Sequence, residues 1–213
     1  MCKTESPFHG KDIYVVGGGN SFDPKLASSL PLDRVVCINS TYQYFTNFLA
    51  LFWMDSSWYR SHWKRFGELD IKHTYYISKD RPMTSKRGFK WLHLDNRGGY
   101  KANVRKCDTV VGNNTGCCVI NYLDKMGAKK IYLLGFDCKK VKQRSHSHDH
   151  YNFTLGDNTY QKVFLPCFEE LSKNIKNAEV INCYIGSAIK NFKYKKLTTI
   201  LAEEASSANR KDV

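Results

Sequence analysis

The sequence predicts an α/β protein in which a mostly parallel sheet is flanked by helices. Two observations support this prediction. Apolar runs of strand length recur along the chain, and each ends in small or polar residues. Segments with helical spacing of apolar residues separate these runs, most clearly in the second half. This alternation is typical of β-α-β units, in which ligand-binding groups gather at the carboxyl ends of the strands.

The first half of the chain supplies three predicted strands, and each apolar run stops at a polar or glycine-rich turn. The run DIYVV precedes three glycines, and the next two runs stop at Asn39 and Asp55. Between residues 70 and 110 the pattern is weaker, with strand candidates only at 75–77 and 91–94. The predicted elements of this half are strands at 12–16, 34–38 and 49–54 and helices at 24–30 and 58–66.

The second half repeats the alternation more clearly. A helix is predicted at 117–126, with Gly127 as its C-terminal cap, and the clearest strand of the chain follows at 129–137. A second helix is predicted at 160–176, and a last strand at 179–183.

Length and composition limit the domain organisation and the class of protein. The chain has 213 residues, with 33 Lys and Arg against 20 Asp and Glu, and 42% of its residues are hydrophobic. We expect one domain over 1–202 with a lid at about 139–159, followed by a polar, frayed tail at 203–213. This composition excludes a wholly disordered chain, and no apolar run reaches the roughly 18 residues of a membrane span. Since no signal peptide is apparent, we expect a cytoplasmic protein that does not bind membranes.

The eight cysteines favour buried thiols over a disulfide framework or a zinc site. None forms a C-x-x-C pair, and several lie inside strand-like runs, such as Cys37 and Cys183. Cysteines in such positions usually behave as small apolar side chains.

Three polar turns are candidate ligand-binding loops. The turn Gly17-Gly18-Gly19-Asn20-Ser21 follows the first strand, where glycine permits close approach of the backbone to a phosphate. A tight structural turn is the alternative. Asn39 and Asp55 end the next two strands and suit a base, a ribose hydroxyl or a metal, or they cap the following helices. The turn 113–116 opens a helix, so it suits an anion, an N-terminal cap, or both.

The run from Arg144 to Tyr151 is the most chemically suggestive in the chain. His146, His148 and His150 alternate with polar residues. Histidine titrates near neutral pH and is the commonest general base, so a catalytic base is the leading interpretation. A metal site and an exposed polar loop are the alternatives, since no matching set of ligands stands elsewhere at metal-binding spacing.

The net charge of +13 suggests an anionic partner. Two lysine clusters are candidate nucleic-acid contacts, and in the second one the lysines alternate with Phe192 and Tyr194, which suits phosphates and bases. A solvated surface is the alternative. The cluster residues are Lys139, Lys140, Lys142, Lys190, Lys193, Lys195 and Lys196.

Four segments together resemble a known family. They are GGGNSF, VVCINSTYQYF, FWMDSSWY and NNTGCCVINYLDKMGAKKIYLLGFDC. Their order and character are similar to the bacterial CMP-sialic-acid sialyltransferases and, more closely, to phage-encoded glycosyltransferase-like proteins labelled "norphogenetic". The resemblance covers roughly residues 12 to 200, and 113–137 is its specific part.

The resemblance implies a Rossmann-like, GT-A-like nucleotide-sugar transferase that lacks the usual metal-binding D-x-D motif and needs no metal or other cofactor. It implies that a histidine of the 146–150 run deprotonates the acceptor, and that tyrosines assist the departing phosphate. Tyr100, Tyr151 and Tyr160 are the tyrosine candidates, with Arg144 beside them. The implied donor site is Gly17, Gly18, Gly19, Asn20, Ser21, Asn39, Asp55, Asn114, Thr115, Gly116 and Asp137.

The chain also departs from the sialyltransferases, which carry Asn-Gly-Pro-Ser at the first loop and Asn in place of Asp55. Another sugar nucleotide is therefore at least as good a donor as CMP-sialic acid. The leading hypothesis is a metal-independent glycosyltransferase whose acceptor is a hydroxylated base in phage DNA, acting in the host cytoplasm. The alternatives are a sialyltransferase-like enzyme that modifies a glycan or lipopolysaccharide, and a nucleotide- or nucleic-acid-binding module without catalysis. The oligomeric state stays open.

Overall fold

The computed structural model describes residues 5–80, 88–97, 107–140 and 156–209, and all structural statements below concern these residues. Nine strands and four main helices lie within them. The strands are β1 (Asp12–Val16), β2 (Val35–Ile38), β3 (Asn47–Trp53), β4 (Asp70–Ser78), β5 (Lys90–Leu94), β6 (Thr109–Val110), β7 (Lys130–Leu134), β8 (Glu179–Asn182) and β9 (Lys193–Tyr194). The helices are α1 (Ser56–Phe66), α2 (Thr115–Lys125), α3 (Leu165–Asn174) and α4 (Leu197–Asn209).

The strands form one sheet in the order β6-β5-β4-β3-β2-β1-β7-β8-β9, and each neighbouring pair is parallel. The predicted α/β class with a parallel sheet is confirmed. The chain builds outward from β1 to β6 and then places β7, β8 and β9 on the other side of β1. Tyr14 accordingly pairs with Val35 on one side and with Tyr132 on the other. This reversal leaves a crevice at the carboxyl ends of β1 and β7.

Helices cover the two faces of the sheet in pairs. Ile13 and Val15 of β1 point into the core that includes residues of α2 and α3. Tyr14 and Val16 point into the core shared with α1 and α4. Because all four side chains are fully buried, β1 reads as a continuous apolar run, as expected for a central parallel strand. No helix within the described ranges combines the length and the apolar character needed to cross a membrane.

Several predicted boundaries are corrected. β4 begins at Asp70 and runs for nine residues, whereas only 75–77 suggested a strand. The expectation that the chain frays from Glu203 is wrong as far as Asn209, because α4 continues to that residue. Leu197 and Ile200 of α4 are buried, and Glu204 forms an ion pair of 2.6 Å with Arg34, which holds the helix to the sheet. Residues 210–213 and most of the predicted lid, 141–155, lie outside the described residues.

The described cysteines are mostly free thiols, as predicted. Burial raises the pKa of the Cys117 and Cys118 thiols well above the ordinary value, so both stay protonated at neutral pH. Cys107 is the exception, since it is disulfide-bonded. The free cysteines are Cys37, Cys117, Cys118, Cys138, Cys167 and Cys183.

A buried carboxylate fixes the connection between α3 and β8. Asp124 of α2 is 4% exposed, and its Oδ1 accepts hydrogen bonds from the backbone N–H of Asn177 at 2.7 Å and of Ala178 at 2.8 Å. The N–H of Lys176 donates to the same carboxylate at 3.2 Å. These bonds replace the water that the backbone groups lose on burial.

Asp124→Asn is expected to lower the free energy of unfolding by about 1–2 kcal/mol, because neutral acceptors form weaker hydrogen bonds than a carboxylate does. Urea denaturation measures the change. Glu68→Gln, at an exposed position, is the matched control and is expected to change little. Equal stability of Asp124→Asn and the wild type would contradict the role assigned to this carboxylate.

Candidate active site

A pocket of about 270 Å³ lies at the carboxyl edge of the sheet, where the strand order reverses. Such switch points are the usual ligand sites of open α/β sheets. The structure brings most of the predicted donor residues together there, although they come from five separate segments. Those that line the pocket are Gly17, Gly18, Gly19, Asn39, Asp55, Asn114, Thr115, Gly116 and Asp137.

The glycine turn runs directly against the segment that follows β7. The N–H of Gly19 donates to the carbonyl oxygen of Gly135 at 2.8 Å. A Cβ atom on Gly19 would lie 2.5 Å from that oxygen and 2.8 Å from Cγ of Asp137. Because real Cβ atoms do not approach other atoms so closely, only glycine permits this contact. The backbone of the turn therefore forms one wall of the pocket.

Asp137 also holds the glycine turn in place, through its bonds to Ser21. The side chain is 2% exposed, and its carboxylate accepts a hydrogen bond from the backbone N–H of Ser21 at 3.0 Å and another from the Ser21 hydroxyl. Burial raises the pKa of the Asp137 carboxyl, while the bonds from Ser21 and the charge of Lys139 act in the opposite direction. Asp137 lines the pocket and also clamps the turn to β7. Asn20 and Ser21 do not line the pocket and belong to this clamp.

Asn39 is held in an uncommon backbone conformation at the end of β2. Its φ is +51°, in the left-handed region that asparagine tolerates better than most residues. The Thr41 hydroxyl accepts from the N–H of Ile38 at 3.0 Å and donates to the carbonyl of Val16 at 2.9 Å, which fixes this turn to β1. Oδ1 of Asn39 is buried and has no hydrogen-bond partner within the described residues. An orphaned amide oxygen on a pocket wall is suited to accept a hydrogen bond from a ligand.

Asn39→Gly is expected to weaken donor binding about tenfold, the value of roughly one hydrogen bond. Glycine keeps the left-handed backbone, so the free energy of unfolding stays close to that of the wild type. Asn39→Ala is the matched comparison, and it is expected to lose similar affinity and also about 1 kcal/mol of stability. Calorimetric titration with the donor and thermal unfolding measure the two effects. Unchanged affinity in both variants would remove Asn39 from the site.

The turn before α2 contributes backbone donors. Oδ1 of Asn114 accepts from the N–H of Cys117 at 2.9 Å, so Asn114 is the N-terminal cap of this helix. Thr115 and Gly116 form the first turn, whose N–H groups have no partner inside a helix and carry its positive end. Both residues line the pocket. The capping and anion-binding interpretations of this turn are thus compatible.

Asp55 both caps a helix and lines the pocket. Its Oδ1 accepts from the N–H of Ser57 at 2.7 Å and from that of Trp58 at 3.3 Å, so it caps α1. The residue also lines the pocket at the end of β3.

The fold resembles that of known proteins, although the sequence matches none of the families compared. No protein-family model matches the sequence, and the curated proteins contain no match. Among solved structures, the monofunctional alpha-2,3-sialyltransferase Cst-I from Campylobacter jejuni has a TM-score of 0.57 at 15% identity, over 86% of this chain and 79% of that one. The sialyltransferase CstII from the same organism, in complex with CMP-3FNeuAc, has a TM-score of 0.47 at 17% identity, over 86% and 85%. The second likeness is too weak to carry an argument, and the first shows the shared GT-A-like fold.

Sequence patterns missed the apolar floor of the pocket. Phe136 packs edge-to-face against Phe168 with ring centroids 6.1 Å apart, beneath the glycine turn and the start of α2. Cys138, with a φ of +47°, turns the chain away after β7. The only sequence signal for Phe136 was the apolar run before Asp137, which also fits an ordinary strand. The lining residues that were missed are Ile38, Gly135, Phe136, Cys138, Phe164 and Phe168.

Tyr160 is the one predicted phosphate-assisting residue that the described part of the chain includes. It is buried, lines the pocket and opens a π-helical turn, Tyr160–Phe164, that leads into α3. Such turns occur frequently at functional sites. Lys139, predicted to contact nucleic acid, also lines this pocket and is exposed at its rim. The predicted residues that lie outside the described residues are Tyr100, Lys142, Arg144, His146, His148, His150 and Tyr151.

The predicted basic strip at 190–196 is partly neutralised. Lys193 lies 3.5 Å from Glu179, and Lys195 lies 2.5 Å from Glu203. Lys190 donates to the carbonyl of Ile185 at 3.5 Å, and Lys196 is exposed. Acidic partners for two of its lysines weaken the case for this strip as a nucleic-acid contact.

Proposed function

We propose that this protein is a glycosyltransferase that moves a sugar from a nucleotide sugar to a hydroxyl acceptor without a metal ion. The observation that carries the proposal is the pocket at the switch point of the sheet. Its wall combines a glycine turn, the N-terminus of α2 and the orphaned Oδ1 of Asn39. Phosphate, ribose and base each find matching chemistry there, which supports a nucleotide as the ligand.

The chemistry of glycosyl transfer fits the same residues. The leaving phosphate gains negative charge as the glycosidic bond breaks, and the N–H groups of Thr115 and Gly116 favour negative charge at this point. Lys139 and Tyr160 line the same pocket and are the candidates to assist the departing group. A histidine of the 146–150 run would take the proton from the acceptor hydroxyl.

A glycan is the acceptor that we favour. The protein that shares this fold at a TM-score of 0.57 is a sialyltransferase, and the lysine strip that suggested DNA carries its own acidic partners. The alternative acceptor, a hydroxymethylated base in phage DNA, rests on the sequence resemblance and on the net charge of +13.

One screen tests the proposal and separates the acceptors. The protein is incubated with UDP-, CMP- and GDP-sugars, each with a glycan mixture or with hydroxymethylated DNA, and products are read by mass spectrometry. Transfer to either acceptor supports a glycosyltransferase, and transfer to glycan alone supports the favoured acceptor. If the protein binds a nucleotide but neither transfers the sugar nor hydrolyses the donor in any of these mixtures, it is a nucleotide-binding module and the proposal is wrong.

Chelation tests the metal-independent part. We expect activity to be unchanged after dialysis against EDTA and on later addition of Mg²⁺ or Mn²⁺, because the proposed phosphate-binding groups are backbone N–H and side-chain donors. Turnover is measured before and after dialysis, with a D-x-D glycosyltransferase as the control that loses activity. A loss that Mn²⁺ restores would contradict this part of the proposal.

A further inference from the structure

A second and larger cavity lies at the opposite edge of the sheet. It has a volume of about 500 Å³. Its walls are the end of α1, the first half of β4 and the start of β5, so it opens at the amino ends of these strands. We call it the amino-edge cleft. The candidate active site lies at the carboxyl edge, so the cleft is a separate site.

The cleft exists because β4 begins well before its neighbour. Lys90 at the start of β5 pairs with Tyr75, which leaves Asp70–Thr74 without a strand on that side among the described residues. Consecutive residues of β4 therefore line the cleft from both faces of the sheet. Within the described part of the chain, the backbone groups of Asp70–Thr74 on that side pair with no neighbouring strand, and such groups can bond to a ligand.

The charged groups that line the cleft are all basic. Lys72, His73 and Lys90 are among its lining residues, and no described acidic residue is. Burial lowers the pKa of His73, and the positive charges of Lys11, Lys72 and Lys90 lower it further. Three lysine side chains thus lie near the neutral His73 imidazole, and no carboxylate stands among the described lining residues. Such a group of cations is suited to an anion.

Aromatic side chains also line the cleft. Phe89 is held in place by edge contacts with Trp53 at 5.5 Å and with Tyr59 at 5.8 Å. Trp63 is half-buried and carries the ammonium group of Lys64 at 5.6 Å from its ring centre. Rigid rings beside cations favour a planar ligand that bears negative charge.

We propose that the amino-edge cleft binds a phosphate group attached to a planar ring, the chemistry shared by free nucleotides and by nucleic acid strands. The phosphate lies between Lys72 and His73, and the ring lies against Trp63 and Phe89. Lys90 donates to the Tyr122 hydroxyl at 3.4 Å, so it contributes charge from a fixed position. The lysines near this cleft thus have a binding role that is separate from the lysine cluster at 190–196.

Thymidine monophosphate is the first probe, followed by nuclear magnetic resonance. We expect the His73 imidazole signals to report a raised pKa when the probe binds, because its phosphate offsets the three lysines, and the Trp63 indole signal to shift in parallel. Lys72→Gln is expected to weaken this binding about tenfold, and Lys72→Arg to restore it. Lys79→Gln, near the other end of β4, is the matched control and should bind like the wild type.

Other probes separate the parts of the proposal. Inorganic phosphate is expected to bind more weakly than thymidine monophosphate, and equal binding would overturn the role of the ring. A ten-residue thymidine oligonucleotide that binds more tightly, with the same dependence on Lys72, identifies nucleic acid as the source, whereas equal affinity identifies a free nucleotide. Signals that shift only at Gly17 and Gly19, or equal effects of Lys72→Gln and Lys79→Gln, would overturn the site. Neither result depends on whether the protein transfers a sugar.

Discussion

Gly19→Ala is expected to lower donor affinity by at least about 100-fold. The new methyl group would lie 2.5 Å from the carbonyl oxygen of Gly135 and 2.8 Å from Cγ of Asp137. Both neighbours are fixed, the first as backbone after β7 and the second by its bonds to Ser21. The glycine turn must therefore move away from β7, and overpacking of this kind costs about 1–3 kcal/mol before any bond to the ligand is lost.

Two measurements and one control variant test this prediction. Calorimetric titration with the nucleotide sugar gives affinity, and circular dichroism shows that the variant folds. Gly156→Ala is the matched substitution, since its new Cβ meets no atom of the described residues within 4 Å, and it should bind the donor like the wild type. Wild-type affinity in Gly19→Ala would show that the turn is not part of the donor site.

Removing the general base is expected to have the largest effect on turnover. Among His146→Ala, His148→Ala and His150→Ala, one is expected to lower kcat by about 10²–10⁴-fold while the Kd of the donor stays unchanged. Its basic form is the active one, so the wild-type rate should rise with pH as this histidine loses its proton. That rise should be absent in the inactive variant.

The three histidines control for one another. The two substitutions that leave kcat intact show that a change in this run does not disturb the site by itself. Single-turnover kinetics and donor titration measure the chemical step and the binding step separately. A variant that lacks all three histidines and keeps the wild-type rate would assign the base elsewhere.

The sequence predicted best those elements whose apolar pattern matches the faces that they bury. β1 and β7 are continuous apolar runs because helices cover both of their faces. β4 was largely missed, since Asp70, Lys72 and Thr74 interrupt its apolar pattern beside the amino-edge cleft. The last turns of α4 were missed for a different reason. Their stability depends on Glu204 reaching Arg34, which is 170 residues away along the chain.

The sequence likewise predicted some residues of the candidate site and missed others. Glycines and small polar residues at strand ends are recognisable in the sequence as candidate ligand-binding residues. In the structure Gly17, Asn39, Asp55 and Asn114 all line one pocket. Aromatic floor residues such as Phe136 have no such mark, because an apolar residue after a strand fits a core equally well. Their position depends on how α3 packs against the turn after β7, which no local pattern records.

The place of β1 inside the sheet also affects how the chain folds during synthesis. β1 to β6 follow one another along the chain, so this part of the sheet is free to pair as it leaves the ribosome. The other edge of β1 waits for β7, and the clamp between Ser21 and Asp137 joins residues 116 positions apart. Until Lys130–Leu134 is made, a nascent chain therefore exposes an apolar strand edge that favours pairing with other chains. Chaperone binding is expected to matter most in that interval.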